Sequence, residues 1–112
     1  MWKTISYDFF NSLLKGTPLS WKLHQNYPNP FNPSTTIRFE LPKESFVTLN
    51  VYNVLGQEVA TLVNEKREAG RYEVEFSASK LPTGVYFYRW DATSVADPSK
   101  SFSQVRKMLL LH

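Results

Sequence analysis

The sequence predicts an all-β fold, an antiparallel sandwich of about 6–7 strands, and three observations carry that prediction. From Thr35 onward apolar and polar residues alternate in short runs. Clusters of Gly, Pro, Asn and Ser separate the runs and mark turns. No helical spacing of three and four residues intervenes between one run and the next.

The strands are led in by Leu23-His24-Gln25-Asn26-Tyr27-Pro28-Asn29-Pro30-Phe31-Asn32-Pro33-Ser34-Thr35-Thr36, with three prolines in six residues. Each proline fixes its own φ, lacks an N–H donor and biases the residue before it, Tyr27, Asn29 or Asn32, toward extended geometry. The two asparagines can fold their amides onto nearby backbone, and Tyr27 or Phe31 can dock on a sheet face. The segment reads as a clasp across one end of a β-domain, with residues 26–33 extended. The plainer alternative is a Pro-rich linker.

In the first strand Ile37, Phe39 and Leu41 alternate with Arg38 and Glu40, and Pro42 marks its end. Val47, Leu49 and Val51 form the second, and the turn around Gly56, where positive φ is expected, returns the chain into residues 58–63 as its partner. The charged residues 64–70 read as a solvated loop, followed by a strand carrying Tyr72, Val74 and Phe76. Residues 77–84 cross over again. Val85-Tyr86-Phe87-Tyr88-Arg89-Trp90 is apolar on both faces, as a central strand covered from two sides would be. Residues 92–100 make a hairpin tip around Asp97-Pro98-Ser99, and residues 102–111 a final strand. Short strands at this spacing predict the immunoglobulin-like type of sandwich, with Ile37, Phe39, Leu49, Val51, Val74, Phe76, Val85 and Phe87 inside.

At 112 residues the chain holds one domain with a single modest core, residues 21–112, preceded by an arm or linker, residues 1–20. The arm has a basic residue near its start, yet Asp8, Asn11, Ser12 and Lys15 interrupt the apolar run that a signal peptide needs. Nothing approaches a membrane-spanning segment, so no membrane insertion is expected. Ile5, Phe9, Phe10, Leu13 and Leu14 suit a short amphipathic helix ending at Gly16; a disordered arm is the alternative. A net charge of +3, scattered rather than striped, gives no reason to expect nucleic acid as a partner. Without cysteine there is neither a disulfide framework nor a thiolate metal site.

Catalytic chemistry lacks candidates. The only histidines are His24 and His112, at the two ends of the domain. Glu73 and Glu75 share one strand face and read as a solvated face opposite Tyr72, Val74 and Phe76, not as an acid/base pair. Asp91 and Asp97 lack the spacing of a calcium loop, and no Gly-rich phosphate loop occurs. Tyr86, Tyr88 and Trp90 could form a sugar or peptide platform, but core packing is the stronger reading on a central strand. No enzyme, cofactor or metal site is expected.

In order, LHQNYPNPFNPSTTIRFELP, VTLNVYNVLGQEVATLV, AGRYEVEFSASKLPTGVYFYRW and SQVRKMLLLH resemble the C-terminal sorting domain of proteins exported by the type IX secretion system. The resemblance runs from about Trp21 to His112. It implies an immunoglobulin-like sandwich at the end of a larger cargo protein, in bacteria of the Bacteroidetes and related groups. It further implies passage through the periplasm, recognition by outer-membrane secretion machinery, and release or anchoring of the cargo at the cell surface, commonly after a sortase-like peptidase removes the domain. Pro28, Pro30, Gly56, Gly70-Arg71-Tyr72, Gly84-Val85-Tyr86 and Lys107 stand at recurring positions of that family. Two departures are the absence of cargo and leader ahead of the domain, which suggests a fragment, a degenerate gene product or a domain put to another use, and a long connection between Asp91 and Ser101.

Two functions follow as expectations: a passive sorting and anchoring module, or a structural subunit docked on a larger assembly. Under the first, recognition falls on Pro28, Pro30, Gly56, Gly84, Arg106 and Lys107. A terminal strand has one edge open to a partner strand, and residues 104–111 would offer it with Arg106 and Lys107 favouring an acidic partner. The alternative is a strand paired within the sandwich, its charges preventing aggregation.

Overall fold

The alternation that begins at Thr35 places every second side chain of residues 35–41, 45–51, 70–76 and 86–94 in the interior, and the computed structural model, which describes residues 16–112, shows how the strands divide into two layers. They are β1 (Lys22–Leu23), β2 (Ser34–Leu41), β3 (Ser45–Tyr52), β4 (Glu58–Arg67), β5 (Gly70–Ser77), β6 (Gly84–Ser94) and β7 (Ser101–Leu110). One antiparallel sheet has the order β1-β2-β5 and the other β4-β3-β6-β7, with no helix among the described residues. This is the all-β sandwich expected. The helix considered for residues 5–14 lies outside the described residues. Just before β1, Pro18 is buried and the Gly16 carbonyl accepts a hydrogen bond from Arg71, so the lead-in rests on the sandwich.

Large rings join the two layers. Phe39 of β2 stacks on Tyr72 of β5 at 5.2 Å and meets Trp90 of β6 across the interior at 5.4 Å; Trp90 in turn meets Phe102 of β7 edge-on. Ile37, Leu41, Val47, Leu49, Val51, Val74, Met108 and Leu110 fill the spaces between them. Such rings bury much area per ordered residue, which suits a domain too small for a thick core.

Three expectations are corrected here. Val85 and Phe87 are not core residues; they lie half-buried on the outer face of the four-stranded sheet, while Tyr86, Tyr88, Trp90 and Ala92 turn inward. A strand apolar on both faces carries no phase of its own, so pairing decides it. Leu49 and Val51 of β3 face the core, and Trp90 and Tyr88 are their register partners. Among the described residues no second layer covers the outer face of β6. Residues 64–67, read as loop, are the end of β4, and only residues 68–69 connect to β5. β4 is the edge of its sheet, where Asn64, Glu65 and Lys66 can face water while the backbone still pairs with β3. Charges on an edge strand also discourage pairing with other chains. The long connection shrinks similarly: β6 runs to Ser94, leaving residues 95–100 as a tip closed by Lys100 N–H to Asp97 carbonyl at 2.9 Å.

Candidate recognition surface

The Pro-rich segment leaves β1 in one sheet and crosses to β7 in the other. It is not uniformly extended as expected: a bend at residues 28–30 separates two bridges, a second bend at 32–33 follows them, and the three X–Pro bonds are cis. At the first bridge Tyr27 exchanges two backbone hydrogen bonds of 2.9 Å with Thr36. At the second, Phe31 lies parallel to the end of β7, its N–H donating to the Leu109 carbonyl and its carbonyl accepting from the Leu111 N–H, both at 3.0 Å. Phe31 is the side chain that docks, 2% exposed with its ring 6.1 Å from that of Phe76, whereas Tyr27 is 74% exposed.

Polar side chains hold the clasp in place. The Tyr88 hydroxyl, rising from the core side of β6, donates to the His24 carbonyl and accepts from the Asn26 N–H, each at 2.8 Å. Burial pushes the Tyr88 phenol up to about 12, against the weaker opposing effects of the Asn26 hydrogen bond and the Arg106 charge. Asn26, itself buried, donates its amide to the Pro28 carbonyl and to Thr35 Oγ1, and Thr35 donates to the same carbonyl at 2.8 Å. The buried Asn26 and Thr35 side chains are thereby both partnered, as burial requires. Outside, His24 Nε2 and Glu40 approach to 2.8 Å.

Side-chain amides of the clasp then act in place of a neighbouring strand. Gln25 Nε2 donates to the Lys107 carbonyl at 2.8 Å, and Asn29 Oδ1 accepts from the Leu109 N–H at 2.9 Å. With the two backbone hydrogen bonds of Phe31, these cover the outer edge of β7 from the Lys107 carbonyl to the Leu111 N–H. The edge expected to be open over residues 104–111 is thus mostly occupied by the chain itself.

Pro28, Pro30, Arg106 and Lys107 come together along this clasped side. Arg106 does not display its charge on the open edge: its inward-pointing side chain donates Nε–H to the Leu23 carbonyl at 3.0 Å. Lys107 remains exposed. Gly56 and Gly84 sit nearby, at the same end of the sandwich, since Tyr52 before the Gly56 turn pairs with Phe87 and Gly84 pairs with Leu110. Gly56 has φ +81°, the left-handed conformation expected, and Asn53 Oδ1 completes that turn by accepting the N–H groups of Leu55 and Gln57. An open pocket of about 270 Å³ separates this turn from the Gly84 loop, lined by Val54, Leu55, Val59, Pro82 and Tyr86. His112 closes the loop against the chain end, with its N–H on Thr83 Oγ1 and its ring on the Leu81 carbonyl.

Gln25, Asn26 and Tyr88 were not singled out from the sequence as parts of this surface. Asn26 precedes the first proline pair, a local signal, but nothing local marks a tyrosine 62 residues further on as its partner. The carboxylates considered for chemistry are used otherwise: Glu73 pairs with Arg38 at 2.8 Å, Asp91 with Arg89 at 3.0 Å, and Asp97 accepts from Ser99. Glu75 is exposed on β5.

Fold and surface together define a small antiparallel sandwich clasped at one end. The family model of the secretion system C-terminal sorting domain matches residues 25–102, the clasp and β2 through the first residues of β7. The chain belongs to that family, the sorting domains of type IX secretion, which carry a secretion signal and are not a catalytic family. Comparison with curated proteins and with solved structures gives no match.

Proposed function

We propose that the chain is a non-catalytic address, read in the periplasm by outer-membrane secretion machinery and delivering a cargo to the cell surface or the medium. Membership of the sorting-domain family is the observation that carries this reading. The geometry supports it, because the clasp, the Gly56 turn and the Gly84 loop gather at one end of a folded sandwich, where a receptor could touch all three at once. Here residues 21–112 are the folded address and residues 1–20 the arm that joins it to cargo. Pro28 and Pro30 shape the surface, Gly56 and Gly84 set its loops, and Lys107 gives it an exposed cation.

The test is delivery. Residues 1–112 are fused behind a periplasm-directed reporter in a type IX-competent host and in the same host without its outer-membrane translocon. Reporter at the surface or in the medium of the first, and in the periplasm of the second, is expected. Equal retention in both would withdraw the sorting reading.

A further inference from the structure

The backbone of β7 has an occupied edge and an open one. Antiparallel strands point their N–H and C=O groups alternately to either side. Leu109 points away from β6, toward the clasp, so Lys107, Val105 and Ser103 point the same way. The clasp ends its cover at the Lys107 carbonyl, supplied by Gln25. Beyond it the Lys107 N–H and both backbone groups of Val105 and Ser103 meet no hydrogen-bonding group among the described residues. β1, the nearest edge of the facing sheet, is only two residues long and does not shield them.

Side chains beside this edge have a definite character. Val105 is 54% exposed on the outer face, next to Arg89 of β6, and Phe102, Gln104 and Arg106 are half-buried on the inner side. Lys100 and Lys107 are exposed at either end and Lys22 on β1, while Arg106 turns its guanidinium inward to the Leu23 carbonyl. The flank is thus basic with an apolar centre. A second copy of the chain would bring two sets of Lys100 and Lys107 to one seam, which like-charge repulsion opposes.

We infer that the open edge at residues 101–107 of β7 is where the machinery adds a strand, and that its partner is an extended segment of a receptor protein bearing carboxylates opposite Lys100 and Lys107. Main-chain bonds to Ser103, Val105 and the Lys107 N–H give affinity, and the clasp sets the register by stopping the added strand at Lys107. The inference rests on the sorting reading and extends its contact from the clasped end along β7, naming the chemistry of the partner there.

Proline substitution tests the edge directly. At Ser103 and Val105 the N–H points outward, so S103P and V105P remove a donor and obstruct a neighbouring strand without breaking the ladder to β6. Each variant of the full chain, fused to the reporter, is first checked for folding by circular dichroism and thermal melting. Folded V105P and S103P are expected to deliver at least tenfold less reporter than the parent, and the double variant K100E/K107E to lose delivery as well. Normal delivery by the folded proline variants overturns the strand-addition site while leaving the sorting reading intact. Should the prolines unfold the domain, V105D combined with K107E decides in the same way, because both positions face water. A parent that stays in the periplasm withdraws both readings, and a dimer in sedimentation that V105P dissociates would assign the edge to a second copy and overturn the receptor assignment.

Discussion

Replacing Phe31 by Ala tests whether the clasp is part of the fold or only a path between strands. Phe31 is 2% exposed, touches the Phe76 ring and sits where the clasp bridges β7. Buried Phe→Ala changes cost about 3–5 kcal/mol through lost burial and the cavity left behind. The site lies at the end of the core, where neighbours can partly relax into the space, so about 3 kcal/mol is expected. For a domain of this size that corresponds to a fall in Tm of about 12–20 °C. Urea unfolding followed by Trp fluorescence measures it, with the midpoint shifted and the slope unchanged if the denatured state is unaffected. Tyr27→Ala is the internal control: the ring is 74% exposed, and its pairing with Thr36 uses backbone alone. It should change stability by less than about 0.5 kcal/mol, the usual scale at a surface. A Phe31→Ala loss of that same small size would show the segment to be a linker and refute the packing role.

Tyr88→Phe leaves the His24 carbonyl and Asn26 N–H without their shared partner and should cost about 1–3 kcal/mol in the same urea assay; no loss would mean that water replaces the hydroxyl freely. Because the phenol of Tyr88 is raised to about 12 from 10.0 in the unfolded chain, the folded state holds its proton more tightly: that stability is fully present below about pH 10 and is lost as pH rises toward 12. The loss amounts to about 2–3 kcal/mol, and Tyr88→Phe should flatten the alkaline limb of a stability–pH curve. Gly56→Ala places a Cβ at φ +81° with no atom nearby to clash, so only backbone strain of about 1–2 kcal/mol is expected, and Gly56→Asn should recover part of it in thermal melts. Asn29→Ala removes the acceptor for the Leu109 N–H, whose hydrogen exchange should speed up by at least tenfold while exchange in β3 is unchanged.

Strand identity was legible because alternation is a local signal: Ile37, Phe39 and Leu41 between Arg38 and Glu40 can bury only one face. The Gly56 turn was legible for the same kind of reason, since only glycine adopts positive φ without cost. The type IX family was also legible, from four ordered motifs. Where a local signal was absent or divided, tertiary structure decided. β6 is apolar on both faces, so its phase came from Leu49 and Val51 across the ladder, and Val85 and Phe87 went outward. Residues 64–67 are charged enough to resemble a loop and became strand because β3 supplied a partner on one side and water covered the other. The state of the β7 edge depended on groups 80 or more positions apart, Gln25 with Lys107, Asn29 with Leu109 and Arg106 with Leu23. A proline-rich run announces that a segment is stiff, through φ and missing donors that belong to each residue alone. Which strand it will lie against is a property of the folded chain, because the carbonyls and N–H groups that receive it come into reach only after both sheets have formed.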